Sequence, residues 1–229
     1  MRKSNASGFA FSIFKSKFVK SVIMALEVED LDNQDRFRQI MEISYHDLVQ
    51  FIIDYLKKRS GLIIFYWSVC LVFLTIAVIT IINISGYYTL RKIIFHSAIG
   101  FIILPIISIP VHELLHLIPY FISGARKLRV GMDLKQWLFY VTAHRYVTPP
   151  VQFIAVAVIP FFMISLSLIL LTFFLPGLWK WSLSVFLFVH ATMCAGDFAL
   201  LNFYFVNREK KIYTWDDADK KMAYFYEEI

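Results

Sequence analysis

His112, Glu113 and His116 stand within the stretch SIPVHELLHLIPYF, residues 108 to 121. On a helix, two histidines four residues apart lie one turn apart on the same face, where both imidazoles reach a single metal ion. The glutamate between them is placed to serve as the base for a water molecule at that ion, and the chemistry such a trio performs is metal-assisted hydrolysis. The flanking residues are those of a bilayer interior. An ionisable side chain at the bilayer centre costs about 2.5 to 3.5 kcal/mol on insertion scales, and such residues face a polar cavity rather than lipid. The setting therefore argues for function at this trio more strongly than the pentapeptide alone.

The elements that must hold the trio follow from composition. The 229 residues are 59% hydrophobic and 17% charged, with 23 phenylalanines, which is too apolar for an ordinary soluble domain. Four stretches are long enough to cross a hydrocarbon core, which takes about 20 apolar residues in a helix. They run from Gly61 to Ile84, Ile93 to Ile122, Val151 to Leu175 and Leu178 to Val206. Lys15, Lys17 and Lys20 interrupt the N-terminal apolar residues, so no cleaved signal peptide is expected and the first span should act as its own insertion signal. Ten Lys and Arg precede the first span, two and five fall in the next two connections, one, Lys180, stands at the start of the fourth span, and five lie in the tail. That bias predicts both termini and the 123–150 connection on the cytoplasmic side, with the cell membrane of a bacterium as the expected location. The net charge of +6 is then explained by topology and headgroup attraction, and no nucleic-acid partner is implied. Cys70 and Cys194 both fall inside spans, so no disulfide framework is expected.

A catalytic zinc ion takes three protein ligands and keeps one open position. Within the spans, Asp197 is the only aspartate, Glu113 the only glutamate, and His96 and His190 the remaining histidines. Depth discriminates among them. His116 lies about 10 Å, and Asp197 about 15 Å, from the cytoplasmic ends of two helices that run in the same direction, at 1.5 Å per residue. His112 and Asp197 then share a level, whereas His96 is near the outer end of its helix. His190 is two turns above Asp197 on the same face, and either lines the cavity or hydrogen-bonds between helices. Ala195 and Gly196 beside Asp197 permit close helix approach. Cys194, one turn before Asp197, reads as a small apolar filler ahead of a competing zinc ligand. Glu113 with His116 three later is also half of a di-iron motif, but the further carboxylates that motif needs are missing.

Outside the spans, FAFSIFKSKFVK (residues 9–20) mixes apolar and cationic positions as a segment on a membrane surface does, or forms a loose basic leader. From Asn33 to Arg59, the apolar residues Ile40, Ile43, Leu48, Phe51, Ile52, Tyr55 and Leu56 recur at helical spacing and predict a cytoplasmic amphipathic helix. In the connection, Leu128, Val130 and Met132, then Trp137, Phe139 and Val141, alternate at period two, which predicts a hairpin turning around Asp133 to Gln136 beside the membrane. The predicted fold is an all-α integral membrane protein of about four transmembrane helices with this one hairpin. Its divisions are a basic N-terminal region 1–60, a transmembrane domain 61–206 with the hairpin connection 124–150, and a cytoplasmic tail 207–229 to which the sequence assigns no chemistry.

HELLH, LRVG, YVTAHRYVTPPVQFIAVAVIPF and AGDF, spread from Phe95 to Val206, together resemble the putative zincin peptidases, integral membrane proteins distantly related to the site-2 proteases. The resemblance implies His112, His116 and Asp197 as zinc ligands and Glu113 as catalytic base, in agreement with the depth argument. One departure stands out: no Asn-x-x-Pro precedes Gly196-Asp197, so the asparagine that helps hold the substrate carbonyl in site-2 proteases has no counterpart. His190, Asn202 and His144 are the candidates to replace it. The expected function is a zinc-dependent intramembrane endopeptidase acting on a membrane-protein or peptide substrate within the lipid bilayer. A membrane binding or regulatory protein with a structural or vestigial metal site is the alternative, and an iron-dependent hydroxylase or desaturase would need more histidine boxes than six scattered histidines supply.

Overall fold

The computed structural model describes residues 26–133 and 138–229. The 9–20 stretch and most of the hairpin turn, residues 134–137, lie outside them. A short 3-10 turn, Val28–Asp32, leads into strand β1, Phe37–Ser44, and helix α1, Leu48–Lys57. The expected single helix from Asn33 to Arg59 is therefore corrected to a strand followed by a shorter helix. The register of β1 shifts between Gln39 and Met41. This bulge breaks the alternation of period two and leaves Ile40 and Ile43 three apart, a spacing that imitates a helix.

Helix α2, Gly61–Ser85, is joined to α1 by a worked-out splice. Ser60 caps α2 by accepting from the Ile63 amide, and its hydroxyl donates to Asn202 Oδ1 at 2.6 Å. The Asn202 amide donates to the carbonyls of Tyr55 and Lys58, the last turn of α1. Orphan carbonyls at a helix end need such partners, so the whole amide of Asn202 is spent on architecture.

The second long apolar helix runs from Leu90 to Ile122 as α3, Leu90–Ala98, a π-helical turn, Ile99–Ile103, and α4, Leu104–Ile122. Pro105 follows the π turn and has no N–H to offer the carbonyl four residues back, which explains the widened turn at that point. The connection forms a hairpin of β2, Leu128–Asp133, and β3, Leu138–Ala143, as its alternation predicts. Next come α5, Pro150–Phe174, then α6, Gly177–Met193, and α7, Ala195–Val206. The last pair replaces the expected unbroken span from Leu178 to Val206: the two helices meet at Cys194 with a bend of 43°. Among the described residues, three helices are long and apolar enough to cross a membrane, or four if the bent pair counts as one.

Backbones approach closely where small residues allow it. A Cβ on Gly100 would sit 2.5 Å from the Ser182 carbonyl oxygen, so the π turn touches α6 directly. His96 Nδ1 lies 2.9 Å from Ser182 Oγ, and Trp181 Nε1 donates to Ser97. His96 is thereby committed to fastening α3 to α6.

The all-α expectation is corrected again in the tail, which forms β4, Lys211–Asp217, and β5, Met222–Glu228. With β1 these make an antiparallel sheet in the order β1-β5-β4, joining residues from both sides of the helices in chain order. One face carries Tyr213 and Trp215, packed with Leu31, Phe37 and Val147; Trp215 stacks on Tyr224 at 4.5 Å. The other face lays Ala223 and Phe225 on the helices, with Phe225 and Phe203 5.1 Å apart. Burial opposes the charge on Glu228, but hydrogen bonds from Lys211, Arg36 and Tyr213 overcome it and hold the carboxyl down at about 2. Glu228 thus ties β1, β4 and β5 together through one side chain. Thr148 pairs with Thr214 through two backbone hydrogen bonds, and the Arg145 amide donates to the Asp216 carbonyl. Hairpin and sheet therefore form one continuous cover over the helices.

Candidate metal centre

Helix α4 presents His112 and His116 one turn apart, and both are buried. Their Nε2 atoms are 3.2 Å apart. Asp197, in the first turn of α7, points its carboxylate at them: Oδ2 lies 3.3 Å from His112 Nε2 and Oδ1 3.5 Å from His116 Nε2. Zinc bound at 2.0 to 2.2 Å to nitrogen and oxygen in a tetrahedron sets neighbouring ligand atoms about 3.3 Å apart. The three observed separations describe one face of such a tetrahedron. Glu113 lines the same cavity beside its two histidines.

The tautomer of His116 follows from its neighbour. Its Nδ1 is 2.8 Å from the Val156 carbonyl oxygen, so Nδ1 carries the proton and Nε2 turns a lone pair toward Asp197 and His112. That carbonyl is free for a local reason. In an α-helix, Val156 would accept from the amide at residue 160, but residue 160 is Pro160, inside α5. The proline frees an acceptor one helix away from the ligand that uses it. We predict that Pro160→Ala, which restores the competing helical bond, weakens metal binding by about 10- to 100-fold, the range for lost support of a ligand. Competition of the purified variant against a chelating zinc indicator measures this; unchanged affinity would show that the Val156 carbonyl does not orient His116.

Asp197 Oδ2 is buried with no hydrogen-bond partner among the described residues, although His112 Nε2 is only 3.3 Å away. A buried carboxylate oxygen left in this state costs about 1 to 3 kcal/mol or more. Convergent lone pairs around a common point account for it, and two imidazoles with a carboxylate are a donor set suited to zinc. The residues present therefore fit the ion.

The centre opens into a cavity of about 240 Å³. His112, Glu113, His116 and Asp197 occupy its end among the helices, while its cover comes from Tyr45, Phe139 to Thr142 of β3, and Thr214, Asp216, Ala223 and Phe225 of the sheet. Tyr45 donates to Asp216 Oδ1 at 3.2 Å. Burial raises the Asp216 carboxyl to about 6, against the lowering effect of its hydrogen bonds. The sequence did not single out Tyr45 or Asp216, because they meet across 171 positions, Tyr45 just after β1 and Asp216 on β4, and neither strand was recognised.

Of the residues considered as substrate-carbonyl partners, His144 and Asn202 are occupied elsewhere. His144 Nδ1 accepts from the Ala218 amide and pins the β4–β5 turn, and Asn202 splices α1 to α2. His190 alone reaches the centre, its ring 5.7 Å from that of His112.

Residues 105–213 match the family described as putative zincin peptidase. The zincin match takes in α4 with its HELLH, the hairpin, α5 to α7 with Asp197, and β4 as far as Tyr213. It begins within the region of resemblance read from the sequence and extends past it into the sheet. Zinc is the ion that this family implies. No curated protein and no solved structure matches the chain.

Proposed function

We propose that the protein is a zinc-dependent endopeptidase that cleaves membrane proteins near the cytoplasmic face of the bilayer. The observation that supports it is the tetrahedral spacing of His112, His116 and Asp197 with Glu113 beside them, at one end of a cavity inside helices long enough to span a membrane. The zincin match supports metallopeptidase chemistry. The excess of Lys and Arg on the side of the tail and the hairpin supports placing sheet, hairpin and cavity mouth in the cytoplasm.

When bound, the ion supplies Lewis acidity that polarises a peptide carbonyl and makes nearby water a stronger acid. Glu113 takes a proton from the attacking water and returns it to the departing amine, a cycle that leaves its carboxylate unchanged. His116 stays in one tautomer because Val156 holds its Nδ1 proton. A substrate helix must unwind before a peptide bond is exposed. Strand β3 lines the cavity from Phe139 to Thr142 and offers an edge on which an extended segment can pair. The sheet and hairpin exclude bulk water from that segment.

The test uses full-length protein purified in detergent from zinc-replete cells. One zinc per chain, cleavage of a membrane substrate, loss of cleavage on chelation and recovery with zinc but not with magnesium are expected. A folded protein that carries no zinc would instead favour a binding or regulatory role.

A further inference from the structure

His190 and Cys194 belong to none of the roles above, yet both are fully enclosed in the spanning layer. They are four residues apart on α6 and its C-terminal cap, the same spacing that puts His112 and His116 on one face. His190 Nε2 lies 3.7 Å from Cys194 Sγ. A zinc ion bound to an imidazole at 2.0 to 2.1 Å and a thiolate at 2.3 Å holds those two atoms about 3.6 Å apart. A nitrogen of His112 completes the group, with the three ligand atoms within 4.8 Å of one another. One further atom points to a ligand. His112 Nδ1 is buried with no hydrogen-bond partner among the described residues, a state that packing alone does not explain.

We propose that His112, His190 and Cys194 form a second metal position, specific for soft divalent ions such as zinc and cadmium, and that it shares His112 with the first. Ligation exchanges the Cys194 S–H bond for a sulfur–metal bond and releases the proton to solvent, with no change of oxidation state. The thiolate excludes magnesium and calcium, which prefer oxygen ligands. Because His112 serves both groups, an ion at His190 and Cys194 draws on a ligand that the His116 and Asp197 set requires. Excess soft metal therefore inhibits. The inhibition rests on the zinc-peptidase reading, whereas the binding does not.

Cobalt(II) is the probe, because a thiolate bound to it gives a charge-transfer absorption in the near ultraviolet that oxygen and nitrogen ligands do not. Titration of the full-length protein in detergent should raise this band. Cys194→Ser should abolish it, and His190→Gln, which removes a ligand, should weaken cobalt affinity at the band by at least the roughly tenfold that loss of a mere supporting contact costs. Cys70→Ser, which alters the other buried thiol, and Asp197→Asn should both keep it. Circular dichroism and a monodisperse elution profile confirm that each variant is folded. No band in the parent protein, or a band that survives Cys194→Ser, overturns the proposal. Cobalt bound without a thiolate band would sink this second position and leave the peptidase reading standing. A thiolate band in a protein that never cleaves would do the reverse.

Discussion

Asp197→Asn is expected to lower zinc affinity by more than about 100-fold, beyond the 10- to 100-fold that follows loss of a supporting contact, while leaving the apo protein as stable as the parent or more so. Asparagine keeps the shape of the side chain, so the close approach of α7 to α4 is preserved. What disappears is the anionic oxygen that faces His112 Nε2 at 3.3 Å and His116 Nε2 at 3.5 Å. Without an ion, that carboxylate is a liability, since Oδ2 is buried and unpartnered among the described residues and charge in the spanning layer is costly. Zinc at 100 times its dissociation constant stabilises the folded parent by about 2.7 kcal/mol. The variant should lose this increment. Zinc stoichiometry by elemental analysis and unfolding with and without zinc check both halves. A variant that unfolds earlier than apo parent would mean that Asp197 holds the helices together rather than a metal.

Glu113→Gln should separate chemistry from binding in the opposite way. The amide cannot accept and return the proton, and general acid–base groups contribute about 10²- to 10⁴-fold to rate. Zinc content should stay at the parent value, because His112, His116 and Asp197 are untouched. The measurement is single-turnover cleavage of a substrate found by comparing membrane proteins of cells that make the parent or the variant. Zinc-loaded variant that cleaves at the parent's rate would exclude Glu113 as the base. With Asp197→Asn, the pair divides the site: one variant loses the ion and the other keeps it idle.

That His112, His116 and Asp197 come together was legible from helical spacing and from depth. A separation of four puts His112 and His116 on one face, and counting residues from the helix ends puts Asp197 at their level. The hairpin was legible in the same way, since alternation at period two through Leu128, Val130 and Met132 and through Phe139 and Val141 survives into β2 and β3; Trp137, the other position in that pattern, lies outside the described residues. The larger sheet was not. Phe37 pairs with Glu228 and Tyr45 hydrogen-bonds Asp216, partners that no local pattern links, and the bulge near Ile40 disguised a strand as a helix. The bend at Cys194 was hidden because the residues on both sides are equally apolar. Pro160 was visible as a residue, but its effect required knowing that His116 lies beside the carbonyl it frees.

The strand order β1-β5-β4 has a consequence for biosynthesis. The central strand, β5, follows every helix in chain order, while β1 precedes them all. During synthesis β1 emerges before the described helices, and its pairing partner β5 only after the last of them. The sheet over the cavity therefore assembles after the helices, and the candidate metal centre acquires that part of its cover only once β5 has been made. A nascent chain stalled before Met222 would hold His112, His116 and Asp197 under β3 but without the strand that carries Ala223 and Phe225 and joins β1 to β4.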